Sequence, residues 1–136
     1  MADCIFCKII EGTIPSEKVY EDDDVVAFLD INPVRKGHTL VVPRQHSKDL
    51  AGTDPAVLSR AITAVQKVAA RVTAGVGAEG FMMAVLNGPA AGQEVFHLHF
   101  HVIPRSKGDG AGVTFGPHEA YGEGEMAEVA RKIRGA

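Results

Sequence analysis

From Val95 to Ile103 the chain reads Val-Phe-His-Leu-His-Phe-His-Val-Ile, apolar residues alternating with histidines at the two-residue period of a strand. Leu98, Phe100 and Val102 fall on one face, toward a core. His97, His99 and His101 fall on the other, with about 7 Å between neighbours at two strand rises. Upstream, Val19-Tyr20, Val25–Asp30 and His38–Val42 read as three strands. The acidic turn Glu21–Asp24 and the breaks at Asn32-Pro33 and Lys36-Gly37 separate them, and Pro43 closes the third. Phe81–Leu86 reads as a fourth. The connections among the first three are too short for parallel crossovers, so an antiparallel sheet is expected.

The clearest helix begins at Thr53-Asp54-Pro55, an N-cap followed by proline in the first turn, and stops near Gly75 or Gly77. Val57, Leu58, Ala61, Val65, Val68 and Val72 recur at helical spacing, with Arg60, Lys67 and Arg71 on another side. Ile62 and Ala69 widen the stripe, which suits either a thick monomer core or a helix packed on both the sheet and a second subunit. Ile5–Ile10 reads as a short helical turn or an extended arm, ended by Gly12 and Pro15. A last amphipathic helix over Glu123–Arg134 carries Met126, Val129, Ala130 and Ile133. The three glycines in Ser106–Gly112 predict a mobile segment. Short strands with one long helix inserted among them make an α+β domain.

At 136 residues this is one domain, 1–136, in which 108–136 form a C-terminal tail and helix. A net charge of -3 points to neither nucleic acid nor an anionic membrane as partner, so nucleotide binding has to be local to a site. Apolar runs such as Thr39–Pro43 are too short to span a bilayer, and the N-terminus has no basic region before an apolar stretch. A cytoplasmic protein is expected.

Cys4 and Cys7 are the entire cysteine complement, spaced C-x-x-C. In such a chain the spacing means a metal or a redox pair, and its place near the start argues for metal over a thioredoxin-like motif; two reduced, buried thiols are the plainer alternative. A tetrahedral zinc site needs two further ligands. His46 and His97 can be presented at one end of the sheet, with His38 and His118 as rivals. Four protein ligands leave no open position, so that zinc is structural.

His99 and His101 remain beside the small-residue loop Asn87–Gln93. Neutral imidazole is a competent nucleophile toward phosphorus, and a second imidazole can donate to a phosphate oxygen or protonate a leaving group. The amides of Asn87 and Gln93 and the backbone N–H groups of Gly92, Glu94 and Val95 are candidate phosphate donors. In a rival arrangement His97, His99 and His101 together hold a catalytic metal, which leaves the cysteines unexplained.

The segment Gly92-Gln93-Glu94-Val95-Phe96-His97-Leu98-His99-Phe100-His101-Val102-Ile103 resembles the signature of the histidine triad (HIT) family. Ile5–Ile10, Ala27–Pro33 and Gly37–Pro43 extend the likeness over residues 4 to 105, closest to the Hint-type branch. The resemblance implies a HIT-like fold: a five-stranded antiparallel sheet, one long central helix and a C-terminal helix, with two sheets joined across a homodimer. It implies a phosphoramidase or nucleotidyl hydrolase acting on an AMP or GMP derivative, with His99 forming a nucleotidyl-histidine intermediate and His101 hydrogen-bonding the phosphate. Asp30 then grips the ribose, Phe6, Ile9, Phe28, Leu29 and Ile31 enclose the base, and Asn87 with Gln93 contacts the phosphate. One structural zinc per chain on Cys4, Cys7, His46 and His97 is implied, with no organic cofactor.

Read without the family, Asp30 before Asn32-Pro33 also suits a turn, and the apolar slot residues also suit an ordinary core. Two other function classes stay open: a nucleotide-binding or interaction module with little turnover, and a three-histidine metallohydrolase. Glu94 departs from the pattern, since Hint-type members often have Ser or Thr there and a loop one residue longer. A carboxylate beside a phosphate repels it unless it points away or is protonated.

Overall fold

The computed structural model describes residues 3–111 and 119–135. Its sheet is wholly antiparallel, in the order β1 (Lys18–Glu21), β2 (Val25–Leu29), β3 (Thr39–Pro43), β5 (Phe100–Arg105) and β4 (Gly80–Ala84). Helices α1 (Ile5–Glu11), α2 (Pro55–Val76) and α3 (Glu125–Arg134) complete the α+β architecture expected from the pattern.

β2 and β3 are apolar without alternation because both of their faces are covered. On one face Val25, Ala27, Val41, Leu98, Phe100 and Val102 pack under Ala61, Ala64, Val65, Val68, Ala69 and Val72 of α2. On the other, Val26, Phe28, Leu40 and Val42 pack against Phe6 and Ile9 of α1. Burying each such aliphatic or aromatic side chain contributes about 1.5–3 kcal/mol. β4 ends the sheet and leaves Phe81 and Met83 about half exposed.

α2 is bounded as its sequence dictates. The Asp54 carboxylate accepts from the Ala56 N–H at 2.8 Å, Pro55 opens the first turn, and Gly77 closes the helix at φ 69°. Of the residues that widen its stripe, Ala69 is buried and Ile62 is exposed. Gly37, at φ 99°, delivers the chain into β3: a Cβ there would lie 2.9 Å from Val76 Cγ1 and 3.3 Å from Pro104 Cγ.

The histidine strand keeps its two faces but pairs later than expected. Its ladder with β3 runs Val41 to Phe100, Leu40 to His101 and Thr39 to Val102, leaving Val95–His99 outside it. Pro43, two positions beyond the last pair, has no N–H to offer. Its carbonyl instead accepts from the His97 ring.

Two other expectations are corrected. Ser106–Ala111 is tied down by Asp109, whose carboxylate accepts from both Nε and Nη2 of Arg105 and from the Ser106 and Ala111 N–H groups; Gly112 lies outside the described residues. The last helix starts at Glu125, after the left-handed Gly124, and its apolar stripe is not buried: Met126 and Ile133 are exposed, Val129 and Ala130 half-buried. Among the described residues no helix is long and apolar enough to cross a membrane.

Candidate active site and metal centre

α1 begins with Cys4 as its N-cap, the sulfur accepting from the Cys7 N–H at 3.3 Å. One turn of helix therefore turns both sulfurs toward the same side. They meet His46, which follows β3, and His97, which precedes β5. Cys4 Sγ lies 3.3 Å from His97 Nδ1, and Cys7 Sγ lies 3.5 Å and 3.6 Å from the Nδ1 atoms of His46 and His97. The two Nδ1 atoms are 3.1 Å apart, and all four donor atoms fall within 4.8 Å of one another.

A tetrahedron built on Zn–S of about 2.3 Å and Zn–N of about 2.0–2.1 Å has S···N and N···N edges of roughly 3.3–3.6 Å, so the donor set fits that ion. His97 is fully buried, and its Nε2–H donates to the Pro43 carbonyl at 2.8 Å, which leaves the Nδ1 lone pair facing the sulfurs. Burial holds His97 below the usual histidine pKa and pushes the Cys7 thiol up, reinforced by the Cys4 sulfur. A cation in the cluster offsets the second effect. Of the rival ligands, His38 is placed elsewhere and His118 lies outside the described residues.

The other two triad histidines face a cleft, and the backbone fixes their tautomers. His99 Nδ1 lies 2.8 Å from the His97 carbonyl; a carbonyl only accepts, so Nδ1 carries the hydrogen and Nε2 keeps its lone pair. The Val34 N–H donates to His38 Nδ1 at 3.1 Å, so His38 carries its hydrogen on Nε2 and donates it to His101 Nδ1 at 3.0 Å. His101 must then hold its own hydrogen on Nε2, a buried atom with no partner among the described residues. Burial lowers the pKa of all three rings, His101 to about 4 with further repulsion from His99 and His38. At neutral pH they are uncharged: a lone pair on His99 and a donor on His101.

The ring centroids of His99 and His101 stand 5.0 Å apart, and Phe6 meets His99 edge-on at 5.0 Å. Because His97 Nδ1 faces the sulfurs and His101 Nδ1 faces His38, the three histidines do not converge on one metal. Asp30 serves two ends at once. Its Oδ1 accepts from the Asn32 N–H at 2.8 Å, the turn role, while Oδ2 lies 3.7 Å from His38 Nε2 at the cleft wall.

The cleft, about 390 Å³, is lined by the apolar Phe6, Ile9, Phe28, Leu29 and Ile31 together with Asp30, Gly92, Glu94, Val95, His99 and His101. A profile of the HIT domain matches residues 11–108. The chain belongs to the HIT family. An uncharacterized HIT-like protein of Methanocaldococcus jannaschii is 47% identical over 132 residues, 97% of this chain and 99% of its own. The adenylylsulfatase HINT3 of Arabidopsis thaliana is 42% identical over 107 residues, covering 79% of this chain and 54% of that protein. The crystal structure of a Zn-bound histidine triad family protein from Mycobacterium smegmatis superposes with a TM-score of 0.75 at 36% identity, covering 99% of each chain. That of a histidine triad nucleotide-binding protein from Candida albicans superposes at 0.85 with 32% identity, covering 98% of this chain and 96% of its own.

Two of the expected phosphate donors, Asn87 and Gln93, are not part of the cleft wall of this HIT domain. Gln93 is buried, its amide nitrogen donating to the Lys48 and Val95 carbonyls and its oxygen accepting from the Gly88 N–H. Asn87 accepts from the Leu50 N–H, and the Gly92 N–H goes to the Pro89 carbonyl. Both amides thus shape the loop from behind and stand apart from the cleft wall. The sequence reading missed His38, which orients His101, and Ile5, Ile14, Pro15, Ser16, Leu40 and Leu86, which complete the wall. The signal for His38 was present: with Leu40 and Val42 it shares the two-residue period that puts them on the α1 face.

Proposed function

We propose that this HIT domain cleaves nucleoside 5'-phosphate derivatives at the α-phosphate, on P–N or related P–O bonds, through a nucleotidyl-histidine intermediate. The observation that carries the reading is the pair of fixed tautomers: a His99 Nε2 lone pair beside a His101 Nε2–H, in a cleft also lined by Phe6, Ile9, Phe28, Leu29 and Ile31. His99 Nε2 attacks phosphorus and the bond to the leaving group breaks. The His97 carbonyl stabilises the charge that develops on the His99 ring. His101 donates to a non-bridging oxygen. Water then attacks phosphorus, the P–N bond to His99 breaks, and the water's hydrogen balances the proton taken up by the leaving group. Asp30 Oδ2 receives the ribose hydroxyls, and an AMP or GMP base enters among Phe6, Ile9, Phe28, Leu29 and Ile31.

Cys4, Cys7, His46 and His97 are proposed to hold one structural zinc, which cross-links α1 to the sheet and takes no part in the reaction. The free edge of β4, with Phe81 and Met83 exposed and Ile62 open on α2, supports a homodimer. Two reduced thiols suit the cytoplasm.

The test compares wild type with His99→Ala on AMP-morpholidate. A loss of about 10³-fold or more in kcat is expected, and equal rates would overturn His99 as nucleophile. Glu94 on the cleft wall favours a second reading, a nucleotide-binding module with little turnover. AMP binding by calorimetry with no turnover of several nucleotidyl substrates would establish it.

A further inference from the structure

Three buried side-chain polar atoms have no hydrogen-bond partner among the described residues: Ser16 Oγ, Arg35 Nε and His101 Nε2. Two of them, Ser16 and His101, line the same cleft. Burying a polar group without a partner is unfavourable, and a site that holds one discriminates for ligands that supply the missing bond. His101 Nε2 has the phosphate to meet. Ser16 lies in the return from α1 to β1, beside the cleft residues Ile14 and Pro15. Ile14, which lines the cleft two residues before it, packs with Ile9 and Phe28. Its place is fixed by the chain on either side: Pro15 precedes it, and the Glu17 carbonyl accepts from the Leu29 N–H at 2.9 Å, holding this return against the end of β2. The surroundings are those of an apolar slot for a flat ring, and the hydroxyl is the polar atom this return adds to them.

We infer that Ser16 is a specificity-determining residue whose hydroxyl hydrogen-bonds the polar edge of the base's six-membered ring. The inference rests on the nucleotide-site reading given above. A hydroxyl both donates and accepts, so it can meet a ring nitrogen, an exocyclic amine or a carbonyl. Slots built only of apolar side chains reject none of these strongly.

The test measures binding of AMP, GMP and benzimidazole riboside 5'-monophosphate, which keeps the sugar, phosphate and stacking surface but lacks the polar six-membered ring. Calorimetry is run on wild type and Ser16→Ala. The substitution is expected to weaken the tighter-binding natural nucleotide about five-fold, the worth of one neutral hydrogen bond, and to leave the benzimidazole ligand unchanged. Because the hydroxyl has no partner in the free protein, the melting temperature of ligand-free Ser16→Ala should stay level or rise. Unchanged affinity for both natural nucleotides overturns the inference, as does an equal loss for the benzimidazole ligand, which would assign the hydroxyl to sugar or packing. Failure of wild type to bind any of the three would instead overturn the nucleotide site itself.

Discussion

The two faces of the sheet are made from the same strands and do opposite things. Under α2, Leu98, Phe100 and Val102 join a dry layer of valine and alanine. On the α1 side the alternate positions of that stretch are His97, His99 and His101, beside Phe28 and Leu40. The covers differ as much as the faces. Both helices are capped at both ends, but α2 has 22 residues and a buried stripe of seven, whereas α1 has 7, with Phe6 and Ile9 alone buried. A helix that short is marginal without outside support. The difference teaches that packing alone secures the inert face, while the reactive face relies on a short lid whose first turn carries half of the candidate metal site.

The largest effect that sharpens this contrast lies on the inert face. Leu98→Ala should cost about 2–5 kcal/mol in denaturant unfolding. A cost below about 1 kcal/mol would mean that the layer under α2 is not the foundation of the fold.

Acid probes the reactive face next. His101 is held down to a pKa of about 4 from an ordinary 6.5, chiefly by burial. Between these values the unfolded chain binds the proton and the folded one does not, so stability is complete above pH 6.5 and falls as pH drops toward 4, by up to about 3 kcal/mol for this one group. Urea unfolding of wild type and His101→Gln from pH 7.5 to 4.5 checks the sign: the variant should show the shallower loss. Parallel curves would remove His101 from the cause.

The smallest effect concerns the lid. Cys4→Ser should release the metal, measured by elemental analysis, and weaken AMP binding about ten-fold as Phe6 and Ile9 loosen. The sheet should unfold at a nearly unchanged denaturant midpoint. Unaltered AMP affinity in a metal-free variant would show that α1 needs no staple.

Much of this was legible in the sequence because it is local. α2 carries its start signal at Thr53-Asp54-Pro55, two possible stops at Gly75 and Gly77 and its period between them, and the structure takes the later glycine. The two faces of the histidine stretch follow from period two alone. What escaped was non-local. Where β5 begins to pair depends on Pro43, some 50 residues upstream, and His38 acquires a role only when the register sets Leu40 opposite His101. Nothing near Gln93 and Asn87 in sequence shows that the Lys48 carbonyl and the Leu50 N–H engage their side chains. Asp109 similarly turns a glycine-rich stretch into a tied loop by meeting Arg105.

The alternation from His97 to Val102 has a consequence for how this protein tolerates change. Substituting one apolar residue for another on the Leu98 face alters packing by degrees, but inserting or deleting a single residue there would exchange the two faces at a stroke. Imidazoles would enter the layer beneath α2, and leucine and phenylalanine would face the cleft. Two inserted residues would restore the faces while displacing His97 from His99 and His101. Along this stretch, inheritance is constrained by counting more strictly than by chemistry.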